Sequence, residues 1–180
     1  MVTLGTGIGV GIIIDGSDRG MAAEGGHMVI QYNGRPCTCG HRGCFEAYAS
    51  ATALITQTQE AMAAHPESLL WKLCEGDIFK VNGKTPFDGR DAGDPTAIQV
   101  VEQYLNYLAF GVSNLINILE PDAMVIGGGI CAQGEKLLVP LRERVRQMVY
   151  HTLFADRCRI AIAQLGNSAG IIGAAGLAMV

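Results

Sequence analysis

"VTLGTGIGVGIIIDG", residues 2–16, separates one α/β architecture from another. Residues 2–4 and 9–14 have the composition of strands, and only "GTGI" joins them. A connection that short suits an antiparallel pair, because parallel strands need a crossover of roughly a dozen residues or more. "DG" at Asp15 and Gly16 marks the next turn. The chain therefore opens with antiparallel strands.

Downstream, the pattern changes from period two to helical spacing. A third strand is predicted over 28–32, then a helix from the N-cap Ser50 to Ala64 and a short helix over 67–75. Gly76 to Gly93 is rich in Gly, Asp and Pro and reads as a loop. Asp94 followed by Pro95 is a favoured cap and first-turn pair. Apolar positions 98, 101, 105, 108, 112, 115, 116 and 119 extend a buried helix over about 94–119. "AMVIGGGI" is a strand entering a triple-glycine turn, and "KLLVPLRERVRQMVY" a helix interrupted early by Pro140. "RIAIAQ" is a strand and "SAGIIGAAGLAM" a final helix. The order β-β-β-α-β-α-β-α implies a mixed sheet with flanking helices, as in one lobe of an actin-like or ribonuclease-H-like fold. An ordinary doubly wound sheet accommodates the opening hairpin poorly.

The 180 residues suffice for one core or one lobe. Hydrophobic residues make up 49% and charged residues 17%, with 24 glycines, a composition that excludes disordered and fibrous classes. The longest apolar runs are too short for a bilayer. The start lacks the basic and apolar regions of a signal peptide, so a cytoplasmic setting is expected. A net charge of −4, with 13 Lys and Arg spread along the chain, argues against a nucleic-acid surface.

The chemistry concentrates in "GGHMVIQYNGRPCTCGHRGCFE", residues 25–46. Cys37, Cys39 and Cys44 lie within eight residues, and His27 lies ten before Cys37. Thiolate and imidazole are the ligands a structural zinc takes in fours, and turns at Gly40 and Gly43 would fold the loop around it. His27 and His41 both qualify as the fourth donor, and spacing does not choose between them. Cys74, Cys131 and Cys158 stand apart and read as small buried hydrophobes. An iron-sulfur cluster would need four clustered thiolates. Glu24 and Glu46 flank the loop, and if a zinc pins it, the two carboxylates and one imidazole edge converge into a group suited to a polyol. The turns "LGTGIG" and "VIGGGI" would let backbone N–H groups approach a phosphate or nucleoside, although neither is a P-loop.

Five stretches, "TLGTGIGVGIIIDG", "EGGH", "CTCGHRGCFE", "MVIGGGI" and "LGNSAGIIGAA", occur in the order found in the ROK family, which the chain resembles over essentially its whole length. CxCGxxGCxE is the most specific element. The resemblance implies an actin-like, two-lobed sugar kinase fold with a cleft that transfers the ATP γ-phosphoryl group to a hexose hydroxyl. It implies zinc held by His27, Cys37, Cys39 and Cys44, with His41 only a loop residue. Sugar contacts would come from Glu24, His27 and Glu46, phosphate contacts from Gly5, Thr6 and Gly7, and adenosine contacts from Gly127, Gly128 and Gly129. Magnesium would accompany ATP.

The family's kinases carry a DxGGT-like phosphate turn and an Asp general base in an N-terminal lobe, and neither is found in these residues. The expectation is a C-terminal lobe spanning 1–180, inactive by itself, from a glucokinase or related hexose kinase. The family's habit implies a homo-oligomer. "EGGH" departs from the usual pattern in having Gly25 before Gly26, which predicts a looser turn. The sugar-sensing lobe of a ROK repressor and a ligand-free dimerisation module are the rival functions.

Overall fold

A computed structural model describes residues 1–18 and 23–166. Strands β1 (Val2–Leu4) and β2 (Ile8–Val10) form the expected antiparallel hairpin, in register Val2 to Val10 and Leu4 to Ile8. The predicted second strand is shorter than expected. It breaks at Gly11, and β3 (Ile13–Ile14) pairs separately with β4 (Ser17–Asp18). Asp15 and Gly16 both take positive φ between them, as a tight hairpin turn requires.

The helical region begins with α1 (Glu46–Ala49) and α2 (Ala51–Ala64), separated by Ser50, whose hydroxyl accepts from the Ala53 N–H at 3.0 Å. After α3 (Leu70–Leu73), the segment expected to be a loop contains α4 (Thr85–Asp91). The Asn82 N–H donates to Thr85 Oγ1 and the Lys84 N–H to Asn82 Oδ1, so side chains start a helix that Gly, Asp and Pro composition concealed. Phe87 is buried, and Gly89 leaves room for Leu70 and Ala97.

The long helix α5 (Pro95–Leu119) keeps its predicted bounds, with Asp94 accepting from the Ala97 N–H at 2.7 Å. Its buried stripe is wider than the predicted one: Val100, Tyr104 and Ala109 are buried, whereas Ile98 and Leu119 are exposed. β5 (Ala123–Gly127) and α6 (Glu135–Met148) follow, then α7 (Thr152–Arg157), which the sequence reading did not anticipate, and β6 (Arg159–Ile162). Pro140 does not interrupt α6. Proline at this position removes the N–H that would bond the Lys136 carbonyl, which instead receives Arg90 Nη1 at 3.4 Å. The predicted final helix lies outside the described residues.

The main sheet runs β2-β1-β5-β6, with β1 antiparallel to β2 and parallel to β5, and β5 parallel to β6. It is mixed, as expected, but the predicted third strand does not join it. Residues 25–27 form a 3-10 turn, and Val29 makes a single antiparallel bridge to Cys44. The apolar residues there serve a loop instead of a sheet edge. Gly25 does not loosen this turn either: a Cβ on it would lie 2.7 Å from Val10 Cγ2, and one on Gly26 would lie 2.2 Å from the Ile8 carbonyl oxygen. These two glycines hold the turn hard against β2.

One hydrophobic core joins β1, β5 and β6 to α5 and α6, and a smaller one gathers Met62, Leu70, Cys74, Val81 and Ala97. Two of its contacts position the site. Gly111 in α5 makes space for the Phe45 ring, which a Cβ would meet at 2.2 Å. Tyr104, fully buried, donates its hydroxyl to the Ala49 carbonyl at 3.1 Å. Both hold α1, and therefore Cys44 and Glu46, against the core.

Candidate metal and ligand site

The cysteine loop is a compact structure built by glycine turns. Gly40 and Gly43 take φ of 89° and 83°. The Cys37 N–H donates to the His41 carbonyl at 2.9 Å, and the Gly40 N–H to the Cys37 carbonyl at 3.0 Å. The Gly43 carbonyl accepts from both Ile30 and Gln31, and a Cβ on Gly43 would lie 1.8 Å from the Gln31 carbonyl oxygen. Side chains then fix the loop to the helices. The Arg35 N–H donates to Tyr48 Oη at 2.6 Å, while the Arg35 guanidinium makes a two-pronged pair with Glu60 on α2. Tyr48 in turn packs against Tyr107, with ring centroids 4.5 Å apart and the planes tilted by 45°.

This scaffold brings together one donor atom from each of His27, Cys37, Cys39 and Cys44, all within 4.8 Å of one another. Cys39 and Cys44 Sγ are 3.6 Å apart, and Cys37 Sγ is 3.6 Å from His27 Nδ1. Zinc–sulfur bonds of about 2.3 Å and zinc–nitrogen bonds of about 2.0 Å at tetrahedral angles give edges of roughly 3.5–3.8 Å. The donor set therefore fits a tetrahedral soft-ligand metal. Cys44 is buried, and burial pushes its thiol up to about 12, whereas a backbone hydrogen bond from His41 lowers the thiol of exposed Cys39. A cation among the sulfurs would offset that cost by stabilising the thiolates. His41 Nδ1 touches Cys39 Sγ at 3.5 Å from the outside of the group.

The ring of His27 has two faces. Its Nδ1 meets Cys37 Sγ, and its Nε2 lies 4.0 Å from Glu24 Oε2. Glu46, the first residue of α1, also meets Cys37, with Oε1 3.8 Å from its Sγ. A continuous run of contacts thus links Glu24, His27, Cys37 and Glu46. Glu46 also has partners that the sequence did not signal: Oε1 accepts from Thr38 Oγ1 at 3.1 Å and Oε2 from the Ile8 N–H at 2.9 Å.

Glu46 thereby meets the first glycine turn. Gly5, Thr6 and Gly7 form the tip of the β1–β2 hairpin, and a Cβ on Gly7 would lie 2.2 Å from Glu46 Oε2. The Gly5 carbonyl accepts from the Ala51 N–H at 2.9 Å, which ties the tip to the start of α2. Gly127 ends β5 and Gly128 and Gly129 follow it, at the same carboxyl edge of the parallel pair. Gly128 has φ of 103°, and a Cβ on it would lie 2.1 Å from the Leu4 carbonyl oxygen. In α/β sheets ligands gather at such an edge. All three glycines line a cavity of about 770 Å³ with Met1, Thr3, Cys131 and Gln164. Another depression, of about 490 Å³ between α6, α7 and β6, contains none of the predicted site residues.

Known proteins share this arrangement of chain. The chain is 40% identical over 178 residues to a glucokinase of Halalkalibacterium halodurans, covering 96% of the chain and 53% of that protein. It is 30% identical to the xylose repressor of Bacillus subtilis, covering 96% of the chain and 41% of the repressor. The crystal structure of a ROK family glucokinase from Streptomyces griseus, in complex with glucose and AMPPNP, superposes with a TM-score of 0.88 at 35% identity. That match covers 98% of the chain and 58% of the glucokinase. The chain thus spans about half the length of the glucokinases it matches. The sequence model of the ROK family matches residues 1–180, and the chain belongs to that family.

Proposed function

We propose that the chain is the C-terminal, actin-like lobe of an ATP-dependent hexose kinase whose sugar is glucose. The observation that carries this reading is the Glu46 carboxylate, which meets the metal-donor loop on one side and the backbone of the hairpin tip on the other. A sugar bound at Glu46 would lie beside a glycine turn able to approach a phosphoryl group. Similarity to glucokinases at 40% identity supports the same conclusion.

In this reading His27 Nδ1, Cys37, Cys39 and Cys44 hold a structural zinc, which supplies a rigid cross-link to the loop. Glu24, His27 Nε2 and Glu46 accept or donate hydrogen bonds to sugar hydroxyls. Thr6 and Gly7 offer backbone N–H groups to the β- and γ-phosphates, Gly5 closes the turn by donating its N–H to the Gly7 carbonyl at 3.0 Å, and Gly127, Gly128 and Gly129 leave room for the nucleoside. Magnesium bound with ATP supplies charge neutralisation during transfer. A preceding lobe supplies the carboxylate base, so the 180-residue chain binds ligands weakly and turns none over by itself. We assign the protein to the cytoplasm and to homo-oligomers. Among the described residues, no helix is long and apolar enough to cross a membrane.

A sugar-sensing repressor lobe is the second reading, favoured by the similarity to the xylose repressor. An ADP-release assay with glucose, ATP and magnesium, run on the chain joined to its N-terminal lobe, separates the two. The kinase reading expects glucose-dependent turnover by the joined protein and none by the chain alone. Saturable glucose binding without ADP release would favour the sensor.

A further inference from the structure

The two oxygens of Glu46 are held by groups from distant parts of the chain. Oε2 is anchored by the Ile8 N–H at the hairpin, and Oε1 by the hydroxyl of Thr38. Each anchor alone would leave the carboxylate free to swing about the remaining bond. Together they define its plane. A carboxylate has about four lone-pair sites, so two remain to accept from a ligand, in directions that the two anchors set.

Thr38 is held by its own neighbours in sequence. It lies between Cys37 and Cys39, two of the four clustered donors, so whatever ties the thiols also positions this hydroxyl. Cys37 Sγ is 3.8 Å from the same Glu46 oxygen. A metal-bound thiolate has no proton to give, which leaves Thr38 as the side-chain donor to Oε1 among the described residues.

We propose that Thr38 is a positioning residue of the sugar site: with the Ile8 N–H it orients the Glu46 carboxylate, and through its place between two metal donors it links metal occupancy to sugar affinity. This inference rests on the assignment of Glu46 to a sugar hydroxyl. Thr38 touches neither sugar nor phosphate and acts only through Glu46. Its side chain is exposed, so Thr38→Val removes the hydroxyl without disturbing the core.

The test compares wild type, Thr38→Val and Thr38→Ser in the zinc-loaded two-lobed protein. Three quantities are measured: zinc per chain, hydrogen exchange of the Ile8 amide, and KM and kcat for glucose. Thr38→Val should keep its zinc, exchange the Ile8 amide several-fold faster and raise KM about tenfold, because the unanchored Glu46 carboxylate must then be oriented at the expense of binding. The value of kcat should change less than about twofold, the pattern of lost uniform binding. Thr38→Ser should restore both KM and exchange. Wild-type KM and Ile8 exchange in Thr38→Val would overturn the proposal, as would loss of zinc together with sugar affinity or a failure of serine to rescue. If wild type ignores glucose, the sugar assignment fails by itself, and Ile8 exchange alone then decides whether Thr38 positions Glu46.

Discussion

Glu46 concentrates the site at the scale of a single residue. It begins α1, lies over Gly7 and accepts from Ile8 and Thr38. Glu46→Gln keeps the size of the side chain but removes the charge and turns one acceptor into a donor. In the two-lobed protein it should raise the KM for glucose roughly 10- to 100-fold, the range for hydrogen bonds to a charged group, with zinc content unchanged. Parallel assays of metal content and KM check this, and loss of zinc with KM unchanged would mean that Glu46 serves the metal. Much of the neighbourhood is legible in the sequence: three cysteines, two histidines and a carboxylate within 22 residues announce a metal loop. Spacing left His27 and His41 equal. The fold distinguishes them: the 3-10 turn at Gly25 to His27, pressed on β2, brings a ring nitrogen of His27 within 4.8 Å of all three thiols, in a four-donor group that does not include His41. The hairpin amide and the Thr38 hydroxyl carried no signal, since neither contact follows from a motif or a period.

Among the elements, the loop over residues 28–45 has no regular secondary structure to hold it. It has few ladder hydrogen bonds and is held by glycine turns, Tyr48, the Arg35–Glu60 pair and the four clustered donors. Cys39→Ser should speed amide exchange over residues 28–45 while leaving α5 protected, because a structural metal supplies local folding free energy. Unchanged protection would show that the glycine turns suffice. Arg35 holds the Glu60 carboxyl below the usual carboxylate range through its hydrogen bonds, so the pair contributes stability above the unfolded carboxylate pKa and loses it as pH falls through the lower folded value. Both side chains are partly exposed, which limits the pair to about 0.5–1 kcal/mol. Urea unfolding should therefore find Glu60→Gln less stable than wild type by that amount at pH 7, with the difference vanishing on acidification. α5 was readable because Asp94, Pro95 and a 25-residue apolar period all agree. α4 and the 28–32 segment were not: the first has the composition of a loop, and the second has apolar residues that serve one bridge to Cys44.

For the whole molecule, the antiparallel opening and the parallel β1-β5-β6 core put two glycine turns at one edge of the sheet, the first of them against Glu46 of the cysteine loop. In the proposed function, a zinc among His27, Cys37, Cys39 and Cys44 holds Glu24, His27 and Glu46 in a geometry that binds glucose. Calorimetric titration of glucose into the two-lobed protein, first with zinc bound and then after removal by a chelator and dialysis, measures that dependence. One glucose per chain is expected in the zinc-loaded protein, with affinity at least about tenfold weaker without zinc and recovery when zinc is returned, since an unordered loop must be organised before it can bind. Equal glucose affinity with and without zinc would contradict it.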